Sequence, residues 1–213
     1  MNTVQLKREL RAMNKRRKSP YPDHMSMVPV WGGAARKLCR NLLGYSSKRR
    51  AWAHFHPITM GQMIVRVVLG EVGVRENPPG SNDGPRIRIY QAVTGAFKQA
   101  WCGSFNGWGI LDAARRLGKH IQLAVNHAYV PNITEMIRKG ERGWHEVGFA
   151  NARGGDTVTL WGSGHVETVI SRDGDWLNTV GGNTSPVGQN THGGCVSKAR
   201  RHRSEVTVIG RAW

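Results

Sequence analysis

Three short stretches of this chain hold chemically useful residues in a fixed order: Trp101-Cys102-Gly103-Ser104-Phe105, then Gly164-His165-Val166, then Gly182-Asn183-Thr184. A cysteine followed by a histidine and an asparagine offers a nucleophile, a base and a group that orients the base. The chemistry of such a set is attack of a thiolate on an acyl carbon, ordinarily that of an amide. Taken singly, each residue has a plainer reading. A cysteine in an apolar helix is commonly a small buried hydrophobe, a histidine at a strand start a satisfied polar residue, and an asparagine after Gly-Gly a turn former. Order and placement give the set its meaning, so the elements that carry the three residues come next.

Cys102 stands where a loop gives way to a helix. Phe105, Trp108, Leu111 and Ala114 recur at helical spacing and predict a helix from Cys102 to Leu117, ended by Gly118. The start of a helix presents unpaired N–H groups and a partial positive charge. Both favour a thiolate, and the same N–H groups can hold an oxyanion as a tetrahedral intermediate forms. His165 opens a strand just after a glycine turn. From there an imidazole can project across a sheet face toward a packed helix, as general base or as the imidazolium of an ion pair. Asn183 falls after the next strand, where it could accept from the second ring nitrogen and fix the tautomer.

The remaining elements supply the frame. Thr59-Met60-Gly61-Gln62 fits a capping box and starts a helix to about Val72 that buries Ile64, Val67 and Val68. Glu76 to Pro85 is rich in turn formers and reads as a loop. Residues 86–94 fit a short helix or a strand equally. Asn132-Ile133-Thr134-Glu135 reads as another helix start, with Gly140 as its end. Beyond it come β-rich runs at 156–161, 165–170, 176–180, 194–197 and 205–209, punctuated by Ser163-Gly164, Asp173-Gly174 and Gly181-Gly182. Helices first and then a meander of antiparallel strands is an α+β layout, with the helices packed on a small sheet.

Charge divides the 213-residue chain. Residues 1–57 hold 13 Lys and Arg against 2 Asp and Glu, a net +11; residues 58–213 hold 18 against 12, a net +6. We therefore expect a basic N-terminal arm over 1–57, with short helices or little structure, joined to a catalytic domain over 58–213. Such an arm suits a polyanion: nucleic acid, an anionic membrane surface or an anionic wall polymer. No apolar run is long enough to span a bilayer, and no apolar segment follows the basic N-terminus as in a signal peptide. The cysteines, Cys39, Cys102 and Cys195, are odd in number, widely spaced and without a CxxC pair. That excludes a disulfide framework and a structural zinc site as expectations.

Further stretches carry a family resemblance: Glu71-Val-Gly-Val-Arg-Glu76, Gly80-Ser-Asn-Asp-Gly84, Trp101-Cys102 with Phe105 and Trp108, Gly155-Asp156-Thr-Val with Trp161, Gly164-His165-Val166, and Gly182-Asn183-Thr184-Ser185. In order and spacing, from about Ile64 to Arg203, the chain resembles the CHAP family of cysteine amidohydrolases and peptidases, within the NlpC-type papain-like group. The resemblance implies a papain-like fold and cleavage of peptidoglycan, as an N-acetylmuramoyl-L-alanine amidase or an endopeptidase, through a thioester. It implies Cys102 as nucleophile, His165 as base and Asn183 as the third polar residue. It also implies a phage endolysin or virion-associated lysin, made in the host cytoplasm and released to the wall. Relatives often have an acidic residue two positions before that asparagine; here the position is Gly181, which leaves the orienting role to Asn183.

Weaker candidates surround the three. Asn82, in the Gly-Ser-Asn-Asp-Gly loop, and Gln99, three before the nucleophile, could lie at the cleft or donate to an oxyanion; a turn asparagine and an exposed glutamine are equally good readings. Glu167 follows His165 by two and shares its face. It could tune the base, but a salt bridge at the sheet edge is the preferred reading. Asp83 is the one carboxylate in 77–85, too few for a calcium loop, and His192, Cys195 and His202 are irregularly spaced. We expect no metal and no cofactor. Trp31, Trp52, Trp108, Trp144 and Trp161 read as core or cleft wall. The competing function is a nucleic-acid-binding or virion structural protein with a silent scaffold. Arg16-Arg17, Arg49-Arg50 and Arg200-Arg201 would then serve phosphate contacts.

Overall fold

Thr59 starts the first helix by the reciprocal cap its sequence predicts. Its Oγ1 accepts from the Gln62 N–H at 3.2 Å, and the Gln62 side chain accepts from the Thr59 N–H at 2.9 Å. The computed structural model describes residues 58–185 and 193–213. The expectations for the basic arm, Cys39, Trp31, Trp52, the Arg16 and Arg49 pairs and His192 lie outside the described residues. Residues Thr59–Trp213 form one compact unit.

Among the described residues there are four α-helices and one antiparallel sheet of six strands, an α+β arrangement. The helices are α1 (Met60–Leu69), α2 (Pro85–Gln91), α3 (Cys102–Arg116) and α4 (Val130–Lys139). The strands are β1 (His145–Glu146), β2 (Thr157–Leu160), β3 (His165–Asp173), β4 (Trp176–Thr184), β5 (Cys195–His202) and β6 (Val206–Arg211), in the order β1-β6-β2-β3-β4-β5. None of the described helices is long and apolar enough to cross a membrane.

Local chemistry explains where these elements depart from the pattern. Helix α1 ends at Leu69, earlier than the expected Val72. The ambiguous 86–94 stretch resolves as helix because Pro85, with its preset φ, sits in the first turn. Helix α4 starts at Val130 rather than Asn132: Pro131 occupies the first turn, and the Asn132 side chain donates to the Val125 carbonyl at 2.9 Å instead of capping. Its end at a left-handed Gly140 is as expected. Gly181-Gly182 does not end a strand. Strand β4 runs through both to Thr184, with a register shift after Gly181, so Asn183 lies inside the strand. Strand β5 is longer than 194–197 and reaches His202.

The core forms where α1, α2 and α3 meet. Tyr90, Trp101, Phe105 and Trp108 make one aromatic cluster, with Tyr90–Trp108 centroids 4.9 Å apart and Tyr90–Phe105 5.1 Å apart in edge-on contact. Ile64, Val68, Ile87 and Ile110 are fully buried around it. Helix α3 approaches β4 closely at Gly182: a Cβ there would fall 2.6 Å from both Phe105 Cβ and Trp101 Cζ3. Glycine is therefore required for the cysteine-bearing helix to lie on the sheet.

A buried polar chain sets the height of α3 above the sheet. Asn106 donates from Nδ2 to Thr168 Oγ1 at 3.1 Å and to Thr157 Oγ1 at 3.3 Å. Behind it His127 accepts at Nδ1 from the Ala124 N–H, so Nε2 carries the proton and donates to Asn106 Oδ1 at 3.2 Å. Burial pushes the His127 pKa down to about 3. Unfolded, the same imidazole titrates near 6.5. Its contribution to stability is therefore complete above that pH and is lost as the pH falls below it. Urea unfolding should show wild-type stability declining between pH 6.5 and 4. His127→Gln should flatten that decline at a cost of about 1–3 kcal/mol at pH 7, through the disturbed partner Asn106.

Candidate active site

The first turn of α3 places Cys102. Its anchor is the preceding residue: Trp101 is fully buried and donates from Nε1 to Glu76 Oε1 at 2.9 Å. Glu76 is itself fixed by its N–H, which donates to the Gly194 carbonyl at 2.8 Å. Trp101 caps the helix without a side-chain hydrogen bond, so no cap satisfies the first N–H groups. Cys102 is a buried cysteine outside any disulfide, as is Cys195, whose thiol donates to the Thr184 carbonyl.

His165 opens β3 from a tight turn. Trp161, Gly162 and Ser163 all have positive φ, 50°, 64° and 77°. Left-handed backbone at two non-glycine residues is costly unless surroundings hold it. Here the Gly162 N–H donates to Thr207 Oγ1 at 2.9 Å, the Trp161 indole to Glu205 at 3.2 Å, and Ser163 pairs with Thr134 at 2.8 Å. The turn lays the Trp161 ring along the imidazole, with centroids 5.8 Å apart and planes at 21°. Trp161 keeps 38% of its surface exposed while His165 keeps 1%, so the indole forms the outer wall of the histidine site.

The structure brings Cys102 and His165 together: the cysteine lies close enough to the imidazole to raise its pKa. The other side of the ring meets a carboxylate. Nε2 lies 3.3 Å from Glu167 Oε1, an ion-pair distance, although its N–H is not aimed straight at the oxygen. Burial pushes the His165 pKa down, but the neighbouring Cys102 and the Glu167 carboxylate outweigh it and raise it to about 9. The imidazole is therefore charged at neutral pH.

Glu167 is not at a sheet edge, the place preferred for it from the sequence. Strand β3 is interior, and the Glu167 side chain is fully buried. Arg201 grips it from β5, with Nε on Oε2 at 3.0 Å and Nη2 on Oε1 at 2.5 Å, while Thr179 of β4 donates to Oε2 at 2.5 Å. Burial raises the Glu167 pKa, but His165 and Arg201 more than reverse this and bring it down to about 2. Arg201 also lies 4.8 Å from the Trp161 ring. The expectation that Arg200-Arg201 serves phosphate contacts thus fails at Arg201, which is 3% exposed and committed to Glu167. Arg200 is turned outward, over Trp176 and beside Asp173.

The other candidates stand further from this contact. Asn183 is buried with φ of 53° and is not hydrogen-bonded to His165 Nε2; the group beside that nitrogen is Glu167. Gln99 is exposed, and what it contributes is its carbonyl, which accepts from the Gln91 amide at 3.1 Å. The same Gln91 nitrogen donates to the Asn82 carbonyl at 2.9 Å, so a buried glutamine ties together the two loops before the nucleophile. Asp83 is held by Arg88 and the Gly84 N–H. Among the described residues there is no group of three or more His, Cys, Asp or Glu able to hold a metal ion. Trp108 and Trp144 are core.

Arg201 and Thr179 were missed from the sequence, yet a signal was present. Glu167 sits in an otherwise apolar and β-branched run, and an acid buried there needs a cation from a neighbouring strand. Arg201→Ala should lower stability by about 3–5 kcal/mol at pH 7, because it leaves a buried carboxylate short of charge. The loss should shrink toward pH 3, where the mutant's Glu167 can take up a proton. Urea unfolding at the two pH values checks both.

No family model matches the chain, and no curated protein matches it. A solved structure described as "The crystal structure of Ly7917" is similar at 15% identity and a TM-score of 0.38, over 72% of this chain and 63% of that one. The chain thus spans less than two thirds of the length of that protein, and a likeness at this level bears on neither fold nor chemistry.

Proposed function

We propose that this protein is a cysteine amidohydrolase of the CHAP kind, on a papain-like arrangement of helix and sheet, which cleaves an amide bond of peptidoglycan. The observation that carries the reading is that Cys102, at the start of α3, lies beside the buried His165 and helps to raise its pKa. A cysteine whose proton passes to a neighbouring imidazole at a helix start becomes a thiolate poised for nucleophilic attack. The substrate class comes from the sequence resemblance.

In the proposed reaction the Cys102 sulfur attacks the carbonyl carbon. The first N–H groups of α3, which no side chain caps, face the oxygen as it gains charge. Collapse breaks the C–N bond, and His165 gives its proton to the departing amine. Water then attacks the thioester, His165 takes the water's proton, and the acid leaves with the cysteine sulfur restored. The half-exposed Trp161 walls the side of the cleft where His165 acts.

The role of a phage endolysin or virion-associated lysin belongs to this proposal, as does binding of anionic wall polymers by the basic arm. The alternative of a nucleic-acid-binding protein on a silent scaffold gains little from the domain, since Arg201 is withdrawn from the surface.

Mass spectrometry of fragments released from purified peptidoglycan tests the reading. Wild type should release new fragments whose masses identify the scissile bond. Cys102→Ala and His165→Ala should release none above background, and Asn183→Ala should retain part of the activity. Release by Cys102→Ala, or none by wild type from several wall types, would overturn it.

A further inference from the structure

We propose that Glu167, held by Arg201 and Thr179, is the residue that orients His165, and that Gly181 is glycine so that this carboxylate can stand there. The inference rests on the hydrolase reading for its consequence, but its geometry is independent of substrate.

Three observations converge. First, Glu167 is the group beside His165 Nε2, at 3.3 Å, and both side chains are sealed from solvent. Second, the carboxylate has no freedom to turn. Oε1 meets Arg201 Nη2 and His165, and Oε2 meets Arg201 Nε and Thr179 Oγ1. A carboxylate with both oxygens held fixes the ring that it faces. Third, the register of β3 and β4, with Thr168 opposite Val180, puts Gly181 directly across from Glu167. A Cβ at 181 would fall 2.8 Å from Glu167 Cγ, 3.0 Å from Oε1 and 3.1 Å from Cδ. The nearest atoms to that position all belong to Glu167. The space between His165 and Arg201 holds one carboxylate, and it can be reached from either strand.

The backbone at Gly181 is not in the left-handed region, so what a side chain there meets first is the occupant opposite. Positions 167 and 181 are therefore exchangeable seats for one charge. That exchange separates a positioning role from a merely structural one, because a structural acid would not restore catalysis from another strand.

The test uses the full chain labelled at histidine 13Cε1, with the His165 signal identified by its loss in His165→Gln. Two readouts are taken: the pH titration of that signal and the rate of fragment release from peptidoglycan. In wild type the imidazole should titrate well above the ordinary histidine range. Glu167→Ala should bring that titration down and slow release on the order of 100-fold, the usual cost of a misplaced reacting group. Gly181→Ala should also impair release, because its methyl collides with Glu167, and should be tolerated once Glu167 is alanine. The exchanged pair, Glu167→Ala with Gly181→Glu, should move the titration back up and recover most of the lost rate.

An unchanged titration and rate in Glu167→Ala would overturn the inference, as would an exchanged pair no better than Glu167→Ala on both readouts. If Glu167→Ala fails to fold, Glu167→Gln keeps the shape but removes the charge and one of the two accepting oxygens. A folded Glu167→Gln with wild-type titration overturns the inference equally. If wild type itself releases nothing, the hydrolase reading fails, and the titration alone still decides whether Glu167 holds the ring.

Discussion

A carboxylate sealed inside a sheet must be met by positive charge, and this domain meets that of Glu167 from two sides. Arg201 holds it from β5 and His165 faces it along β3, while Cys102 stands beside the imidazole at the start of α3. Charges of alternating sign, Arg201, Glu167 and His165, thus lie side by side in the interior. Each is tolerable only because its neighbours are present, since isolated ions are strongly disfavoured away from water. The arginine is closed off by Trp161 and the sheet; the cysteine sits where helix N–H groups have no cap.

Much of the fold can be understood as what this group requires. Helix α3 must lie close to β4, hence Gly182 beneath Phe105 and Trp101. Its height is set by Asn106 on Thr157 and Thr168, with a neutral histidine behind. Trp101, locked to Glu76, prevents the helix from sliding along its axis. The strained turn at 161–163 delivers His165 and lays an indole over it, and three side-chain contacts hold that turn in place. The ionic centre and the polar scaffold are separate networks. One titrates with the function; the other keeps a titratable group silent.

The sequence made the first and third helix starts and the succession of helices and then strands legible where local rules were strong. The reciprocal cap at Thr59 and the glycine stop at Gly140 are purely local signals. It misread places where tertiary contacts override them. Gly181-Gly182 has the composition of a turn, but it is a strand thinned to admit a helix on one side and a carboxylate on the other. Asn132 has the spacing of a cap, but Pro131 had already started the helix. At the site, Cys102 and His165 were legible as a pair because each sits at an element edge. Glu167 was visible but placed at the sheet rim, because strand order is a non-local property. Arg201, read with Arg200 as surface charge, shows the same blindness: in a strand, adjacent residues point to opposite faces, so one of the two had to turn inward.

Everything in the account depends on the Cys102 sulfur being the atom that takes the acyl group. The most direct measurement is acid quenching of the protein in the first turnovers on soluble peptidoglycan fragments, followed by proteolysis and mass mapping of covalent adducts. The account predicts an acyl adduct on the peptide containing Cys102, absent when the protein is first alkylated there. Turnover without any adduct on that peptide, or an adduct on Cys195 instead, would contradict it.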